Sequence, residues 1–380
     1  MATAHREPAG TLPDGRPIEA VVLTNRAGVS ARILTYGATL QSLVTPDRGG
    51  RLADITLGYD DGADYAARPN YFGVTIGRFA NRIAGGRFKL DGATCYLTQN
   101  EGANSLHGGV EGFDQRFWRI LEITRSPVAR VVMALDSPDG DQGFPGNLAA
   151  RVTYALDNSG ALGILFEART DAPTIVSMTN HAVFNLAGVG TTRSATDHVL
   201  MLPARRFTPV DAALIPTGTI APVAGRVFDF TQPRCIADGL RDGLRDGLRD
   251  GQKDGQKDGL RGGGDPQIML AGGYDHNWAL DKGRTAQPEL AARLFDPGSG
   301  RMLEVLTTEP GIQFYSGNFL DGTLTGKRGA VYHRGAGIAL EPQTFPDAPN
   351  HAAFPSARID PAAPYRHHMI YRVSAIPAAA

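Results

Sequence analysis

Two histidines and one glutamate occur in sequence surroundings that suit proton transfer. His107 lies in the turn-rich stretch Asn104–Gly109, and His181 lies in Thr179–Leu186, where polar residues precede an apolar run. Glu341 ends an apolar strand pattern, where a buried carboxylate can have its pKa raised toward the range useful for removing a proton. Taken singly, a histidine that only forms structural hydrogen bonds, or a glutamate that points to solvent, explains each position at least as well.

Two further stretches combine groups that bind polar, ring-shaped ligands. Gly272–Trp278 holds a carboxylate, an imidazole and two aromatic rings, which suits sugars because their rings have apolar C–H faces and polar edges. A buried tryptophan with a hydrogen-bonded indole explains that stretch equally well. Gly77–Ile83 carries Arg78 and Arg82, which could bind hydroxyl groups or a carboxylate, or could form surface ion pairs.

Several motifs are absent from the sequence, which narrows the chemistry. There is no phosphate-binding loop, no dinucleotide-binding glycine motif, no Gly-x-Ser-x-Gly elbow and no His-Glu-x-x-His pair. His367 and His368 are adjacent, so on a strand they would face opposite ways and make a poor metal site. We therefore expect no nucleotide cofactor, no metal and no serine nucleophile.

Composition excludes several classes of partner. The 38 Lys+Arg residues against 39 Asp+Glu give a net charge of -1, which argues against binding to nucleic acid or to an anionic membrane. The sequence contains no apolar run of the roughly 18 residues that a spanning helix needs and no signal-peptide pattern at its start. Cys95 and Cys235 are too few for a disulfide framework. We expect a soluble, cytoplasmic protein with free thiols, although one disulfide remains possible.

The elements that must position these residues are predicted to be short strands. The 47 glycines and 25 prolines interrupt the chain often, and apolar residues alternate with period two between the turn signals. The clearest strand patterns are Val29–Ile33, Arg151–Leu156, Met302–Leu306, Gly337–Glu341 and Met369–Val373. The best helix candidate, Pro288–Phe295, is short. This pattern predicts an all-β sandwich or barrel in a single large domain over residues 1–380.

A tetrapeptide repeat stands apart from this pattern. Between Asp238 and Arg261 the units Asp-Gly-Leu-Arg and Asp-Gly-Gln-Lys recur, and three glycines follow. A glycine at every fourth position costs roughly 1 kcal/mol each in a helix, which makes a stable helix unfavourable. We expect a flexible surface insertion with little order over residues 238–264. A calcium-binding β-roll is the functional alternative, but its repeat has nine residues.

Taken together, these stretches resemble the aldose 1-epimerases, also called galactose mutarotases, over about residues 15–375. The matching motifs are Tyr71-Phe72-Gly73, Gly77–Ile83, Asn104–Gly109, Thr179–Leu186, Pro209–Gly218, Phe228-Asp229-Phe230, Gly272–Asn277, Glu309–Asn318 with Asp321-Gly322, Leu340–Pro346 and Pro364–His367. The resemblance implies a large antiparallel β-sandwich of the galactose mutarotase type with an open cleft. It also implies interconversion of the α and β anomers of free aldohexoses such as glucose and galactose, without cofactor or metal. The tetrapeptide insertion is the clearest departure from the family.

The resemblance also implies a role for each matching residue. Glu341 would be the general base that takes the proton from the C1 hydroxyl, and His181 the general acid that protonates the ring oxygen. His107 would hydrogen-bond near that oxygen, and Arg78 would be structural. The residues expected to bind the other sugar hydroxyls are Asn81, Arg82, Asp275 and Gln313.

Three alternatives remain open at this stage. A hexose-6-phosphate 1-epimerase would need an additional basic group for the phosphate, and no such cluster stands beside the motifs. A glycoside hydrolase would need two carboxyl groups across the scissile bond. A non-catalytic carbohydrate-binding β-sandwich would have no use for both an acid and a base. The partner expected is a small aldose, and the chain is expected to be a monomer or a weak homodimer.

Overall fold

The computed structural model describes residues 2–244 and 264–377, and most of its regular structure is β-strand. In chain order the first strands are β1 (Thr3–Thr11), β2 (Pro17–Thr24), β3 (Ser30–Leu34), β4 (Leu40–Pro46), β5 (Leu52–Asp54), β6 (Thr75–Ile76), β7 (Arg82–Ile83), β8 (Arg87–Leu90), β9 (Ala93–Tyr96), β10 (Ser105–Leu106), β11 (Arg119–Thr124), β12 (Ala129–Ser137), β13 (Leu148–Leu156) and β14 (Ala161–Thr170). They are followed by β15 (Thr174–Ile175), β16 (Thr179–Asn180), β17 (Val183–Phe184), β18 (Val199–Met201), β19 (Arg206–Thr208), β20 (Ala221–Pro222), β21 (Arg234–Cys235), β22 (Asp275–Ala279), β23 (Glu289–Phe295), β24 (Arg301–Thr307), β25 (Gly311–Tyr315), β26 (Ile338–Gln343), β27 (Arg358–Ile359) and β28 (Tyr365–Ala375).

Three larger antiparallel sheets organise these strands. A nine-stranded sheet has the order β11-β12-β13-β14-β28-β24-β23-β18-β21, a six-stranded sheet has the order β17-β26-β25-β22-β19-β20, and β1 to β5 form a third sheet in sequence order. The remaining strands pair in twos, as β7 with β10, β6 with β16, β8 with β9 and β15 with β27. The predicted all-β, antiparallel fold is confirmed.

Alternating apolar residues place one face of each sheet in a shared core. Along β13, Val152, Tyr154 and Leu156 are fully buried while the residues between them are partly exposed. Ile33 of β3 and Leu340 of β26 belong to the same hydrophobic cluster as these three. Three of the five strand patterns read from the sequence fall within observed strands, and the other two, Val29–Ile33 and Gly337–Glu341, each begin one residue before the observed strand. Burial of this face is the main term that holds the sheets together.

The best helix candidate of the sequence, Pro288–Phe295, is not a helix, because this segment contains strand β23. The pairing of β23 with β24 shifts between Leu290 and Ala292, so an extra residue lies in β23 at Ala291. This bulge puts Ala291 and Ala292 side by side in the buried interior. Two adjacent buried positions break the period-two pattern and imitate helical spacing.

The helices are α1 (Ala63–Ala67), α2 (Ile236–Leu244) and α3 (Pro266–Ala271), and none of these described helices is long and apolar enough to cross a membrane. Helix α2 corrects the expectation of little order for residues 238–244. Its glycines Gly239 and Gly243 are buried: an added Cβ would lie 2.2 Å from the Tyr274 hydroxyl and 2.9 Å from Ile268, respectively. Close packing of a glycine face outweighs the low helix propensity of glycine here. The rest of the repeat, residues 245–263, lies outside the described residues.

Candidate active site

Three adjacent strands of the six-stranded sheet carry Asp275, Gln313 and Glu341. In the register of β22, β25 and β26, Asn277 lies opposite Gln313, and Gln313 lies opposite Glu341. Directly opposed residues of antiparallel strands project from the same face, and so does Asp275, two residues before Asn277. The Gln313 side chain donates a hydrogen bond of 2.7 Å to Asp275 Oδ1. The sheet register alone therefore brings these polar groups to one face.

His181 approaches Glu341 from the segment between β16 and β17. Its backbone N–H donates to the carbonyl of Val74, and the Gly73 N–H donates to the carbonyl of His181, so both sides of its peptide are held. His181 Nε2 lies 3.5 Å from Glu341 Oε1. His181 Nδ1 and Glu341 Oε2 are buried and have no hydrogen-bond partner within the described residues. Buried polar atoms normally have partners, so both atoms are suited to a ligand.

Burial disfavours charge on both members of this pair. Burial and the nearby Asp275 carboxylate raise the pKa of Glu341 well above its ordinary value, while Arg82 opposes the shift. Burial lowers the pKa of His181 to about 4. Both shifts favour the uncharged form of the pair, in which the Glu341 carboxyl carries the proton and the His181 imidazole is neutral. The form with a carboxylate and an imidazolium holds the same number of protons and differs only in which group carries the proton.

Two short paired strands position Asn81, Arg82 and His107: Arg82 begins β7, Asn81 directly precedes it, and His107 directly follows β10. Arg82 in β7 lies opposite Leu106 in β10, which brings the motifs around residues 81 and 107 into contact. Asn81 and His107 have backbone φ angles of +67° and +53°. Such values are uncommon for residues with side chains and cluster at functional sites. Gly108 permits the contact, because a Cβ there would lie 1.9 Å from the carbonyl oxygen of Gly77.

A metal ion could be held only by side chains that lie close together, and one such group is present in the part of the chain that the structure describes: His107, His181 and Glu341 each offer a ligand atom, and these atoms lie within 4.8 Å of one another. The backbone N–H of Asn81, however, donates to His107 Nδ1 at 3.2 Å. Burial lowers the pKa of His107 well below its ordinary value, so the ring is neutral and its one proton lies on Nε2. That nitrogen is a donor rather than a metal ligand, so the trio fits an oxygen atom better than a cation.

Arg82 is the centre of a second polar group in the site. Its side chain is 7% exposed, and its Nε and Nη2 donate to the two carboxylate oxygens of Glu101 at 2.6 Å each. Its Nη1 lies 3.6 Å from Asp275 Oδ2. Burial raises the pKa of Asp275, and the charge of Arg82 opposes that shift. A guanidinium held between two carboxylates keeps its charge in this buried position.

These groups line one cleft, with a cavity volume of about 190 Å³. Six of the seven predicted site residues line it, while Gln313 lies behind Asp275 and reaches the cleft through that carboxylate. Aromatic rings form much of the remaining wall: the Tyr71 ring centroid is 4.7 Å from that of His107, and Phe319, 61% exposed, stacks on Tyr315 at 5.8 Å.

Sequence reasoning missed three of these cleft residues. Tyr71 lies within a motif that was recognised, but nothing in the motif assigned it to the cleft. Phe319 follows directly after the recognised stretch Glu309–Asn318. Glu101, three residues before Asn104, carries no motif of its own. The only available signal for Glu101 was a carboxylate in a turn near a segment expected to bind a sugar.

Other candidates from the sequence have structural partners outside the cleft. Arg78 is buried and donates hydrogen bonds to Ser137 and to the carbonyls of Pro138 and Pro145. The Trp278 indole donates to the carbonyl of Phe228. His367 hydrogen-bonds the Thr307 hydroxyl and the Met178 carbonyl.

Comparison with known proteins identifies the family and agrees with the fold. Residues 19–372 match the aldose 1-epimerase family. The chain is 40% identical to the galactose mutarotase of Sus scrofa over 367 residues, with 97% of each chain covered, and 37% identical to the aldose 1-epimerase of Escherichia coli K12 over 344 residues, covering 90% of this chain and 91% of that one. The crystal structure of a galactose 1-epimerase from Lactobacillus acidophilus NCFM superposes with a TM-score of 0.81 at 28% identity and 99% coverage of both chains.

The chain belongs to the aldose 1-epimerase family. It is accordingly an isomerase, an aldose 1-epimerase, and its substrate is an aldose sugar.

Proposed function

We propose that the chain interconverts the α and β anomers of free aldohexoses such as galactose and glucose, with Glu341 as the general base and His181 as the general acid. The observation that carries the proposal is the distance of 3.5 Å between His181 Nε2 and Glu341 Oε1 at a cleft whose other wall is aromatic. The galactose mutarotases among the relatives support galactose as one substrate.

Ring opening needs two proton transfers. The Glu341 carboxylate takes the proton of the C1 hydroxyl, the C1–O5 bond breaks with its electron pair moving to O5, and the imidazolium of His181 protonates O5. The product is the free aldehyde, and the single proton of the pair now lies on Glu341. Rotation about C1–C2 presents the other carbonyl face. Reclosure exchanges the roles and returns the pair to its starting state.

The remaining groups position the sugar. The His107 Nε2–H donates toward the ring oxygen, where negative charge develops as C1–O5 breaks. Arg82, Asn81 and Asp275 bind hydroxyl groups, with Gln313 holding Asp275 in place. The exposed ring of Phe319 offers an apolar face at the rim of the cleft.

A free sugar fits this cleft better than a sugar phosphate. Among the residues lining the cleft, Arg82 is the one arginine or lysine, and Glu101 and Asp275 already neutralise it. A phosphate dianion would need an additional cationic group. We expect faster anomerisation of glucose than of glucose 6-phosphate, and the reverse preference would contradict this assignment.

Polarimetry of freshly dissolved α-D-galactose or α-D-glucose tests the two catalytic roles. Glu341→Gln keeps the shape but removes the base, and it should lower kcat by roughly 10²–10⁴-fold. His181→Asn should lower kcat more than it raises KM. The control is Glu289→Gln, an exposed position with the same change of charge, which should behave like the parent. Near-normal kcat in Glu341→Gln would remove the proposed base, and a pure KM effect in His181→Asn would reassign that residue to binding.

We also infer a monomer or weak homodimer in the cytoplasm. Large exposed apolar side chains such as Leu52, Tyr96 and Leu121 lie on different sheets of the described chain, which favours a monomer. Both cysteines are free thiols, as a reducing compartment would keep them. Light scattering over a concentration series and thiol titration of protein isolated without reductant test these two points.

A further inference from the structure

Among the charged side chains that line the cleft, Glu101 is the one for which the proposed mechanism has no role. Its carboxylate takes two hydrogen bonds of 2.6 Å from Arg82, on the edge formed by Nε and Nη2. The third guanidinium nitrogen, Nη1, is left to face Asp275 Oδ2 at 3.6 Å, beyond ordinary hydrogen-bond length. Glu101 therefore fixes the orientation of a buried arginine with respect to the sugar-facing carboxylate.

The loop that carries Glu101 is tied into the site on both sides. The Asn104 N–H donates to the carbonyl of Glu101, and the Asn104 side chain accepts a hydrogen bond from the Gly85 N–H. The Asn100 side chain donates to the carbonyls of Leu106 and Gly109, on either side of His107. Glu101 is thus held by the same turn that positions His107. Its bidentate ion pair with Arg82 therefore differs from an ion pair between flexible surface side chains, because less conformational entropy is lost when it forms.

Without the Glu101 carboxylate, Arg82 has one close counter-charge left. A buried guanidinium gains most from a bidentate contact with a carboxylate, so it would close the remaining gap to Asp275. Both groups would then be bound to each other and unavailable to sugar hydroxyls. Glu101 prevents this because it occupies the opposite edge of the guanidinium.

We propose that Glu101 is a positioning residue for sugar binding: it holds the Nε–Nη2 edge of Arg82, so that Nη1 and Asp275 remain separate and available to sugar hydroxyl groups. This inference rests on the proposed function of the cleft, and it concerns the binding step rather than proton transfer. Glu101 acts only through Arg82, which makes the effect of its removal dependent on Arg82.

A double-mutant cycle on steady-state kinetics tests this dependence. Glu101→Ala should raise KM for galactose or glucose about tenfold, with kcat changed less than about threefold, because a charge-assisted alignment is lost while the acid–base pair is intact. In an Arg82→Met background, adding Glu101→Ala should change KM less than about twofold. The matched control is Glu111→Ala, a 68% exposed glutamate 3.9 Å from Arg116, which removes the same charge and should leave KM unchanged.

Conservative variants and direct binding separate this proposal from its alternatives. Glu101→Asp keeps a carboxylate, so its KM should lie between those of the parent and of Glu101→Ala. The Kd of the sugar, measured by calorimetry, should change in the same way as KM. Circular dichroism and urea midpoints check that each variant is folded; should Glu101→Ala not fold, Glu101→Gln takes its place in the cycle. The proposal is overturned if Glu101→Ala leaves KM unchanged. It is also overturned if Glu101→Ala raises KM in the Arg82→Met background by as large a factor as it does in the parent. Failure of the proposed function would instead appear as no mutarotation by the parent chain.

Discussion

Glu341 and His181 owe their reactivity to being buried together. Removing both side chains from water disfavours the charged form of each, so the single proton of the pair lies on Glu341 while His181 is neutral. Transfer of that proton to His181 gives the carboxylate and imidazolium from which ring opening starts. Acid–base catalysis of ring opening needs this form, because one group must accept a proton while the other donates one. Two such groups exposed to water would have pKa values about two units apart near pH 4 and 6.5, leaving a narrow pH range for the required form.

The charge of Asp275 should set the pH range of activity. Asp275 raises the pKa of Glu341 and Arg82 lowers it. Asp275→Asn removes the negative charge and leaves that of Arg82, so both limbs of the kcat–pH profile should move to lower pH, the alkaline limb most visibly, and KM should rise about tenfold. The other titratable or charged groups around Glu341 are His181, His107, Glu101, Tyr315 and Tyr371.

The measurement is kcat by polarimetry over a pH series, corrected for the spontaneous reaction. Asp281→Asn, at a partly exposed carboxylate paired with Arg205, is the control for the loss of one charge and should keep the parent profile. An alkaline limb that stays in place in Asp275→Asn would show that Asp275 has no electrostatic influence on the pair.

For single residues, the sequence predicts the site residues that lie within recognisable motifs. It does not predict a residue whose role depends only on which side chain it contacts in the fold. Glu341, His181 and Arg82 were predicted because recognisable stretches surround them. The assignment of Glu101 depends on the pairing of Arg82 with Leu106, which brings a turn 19 residues away onto the guanidinium. The positive φ angle of Tyr71, +58°, likewise depends on its surroundings rather than on its residue type.

At the scale of single elements, strands were predictable wherever alternation was regular. Arg151–Leu156 alternates without interruption and lies within β13. Glu289–Phe295 contains a bulge, and the extra buried alanine makes its pattern resemble that of a short helix. The pairing partner that defines a bulge lies elsewhere in the chain, so local periodicity could not identify it.

Helix α2 shows the opposite effect, in which tertiary packing overrides low propensity. The four-residue period of the repeat puts Gly239 and Gly243 on one face of the helix, and that face packs on Tyr274 and Ile268. Glycine is unfavourable for an isolated helix, but here it permits a close approach that a larger side chain would block. Whether a glycine interrupts a helix or serves as its contact surface depends on the neighbouring element.

Gly239→Ala should therefore destabilise the protein despite the higher helix propensity of alanine. The added Cβ would meet the Tyr274 hydroxyl, which donates to the carbonyl of Val227 at 2.8 Å. Overpacking costs about 1–3 kcal/mol, whereas alanine gains roughly 1 kcal/mol in a helix, so the free energy of unfolding should fall. Urea denaturation followed by tryptophan fluorescence measures this difference.

Tyr274→Phe provides the matched test of this contact. Removing the hydroxyl alone loses one hydrogen bond, about 1 kcal/mol. In the Tyr274→Phe background, Gly239→Ala should cost less than it does in the parent, because the clashing atom is gone. If Gly239→Ala lowers the free energy of unfolding equally in both backgrounds, the Tyr274 hydroxyl is not the atom that the added Cβ meets.

At the scale of the whole molecule, the site exists because distant segments converge. Residues 81 and 341 lie 260 positions apart in sequence, yet both line one cleft, formed by one face of the six-stranded sheet and two loops. Periodicity predicted the strands but not their order in the sheets, so the residues could be assigned to one site only through the family resemblance. The structure adds the register that places Asp275, Gln313 and Glu341 on one face.

One buried side chain links the three larger sheets. Arg301, at the start of β24 in the nine-stranded sheet, is 2% exposed. Its guanidinium donates to the carbonyls of Thr45 and Arg51, at the β4–β5 end of the five-stranded sheet, and to the carbonyl of Leu186, just after β17 of the six-stranded sheet. The Leu186 carbonyl also accepts from the Ser299 hydroxyl, and the Arg51 carbonyl from the Asp47 N–H. Arg301 therefore adds charge-assisted hydrogen bonds that connect the three sheets through one buried group.

Arg301→Met should accordingly lower the stability of the molecule as a whole. Methionine keeps much of the apolar stem but removes three hydrogen bonds from a charged donor that connect the sheets, for a loss of about 3 kcal/mol or more. Because the sheets share one hydrophobic cluster, we expect a single urea transition with a lower midpoint, seen alike by circular dichroism and by fluorescence. Arg293→Met, at a half-exposed arginine paired with Glu304 on the same sheet, should change stability by no more than about 0.5 kcal/mol. Two separated transitions in Arg301→Met would show that the sheets unfold independently, and equal midpoints for the two variants would show that the three carbonyls do not need the guanidinium.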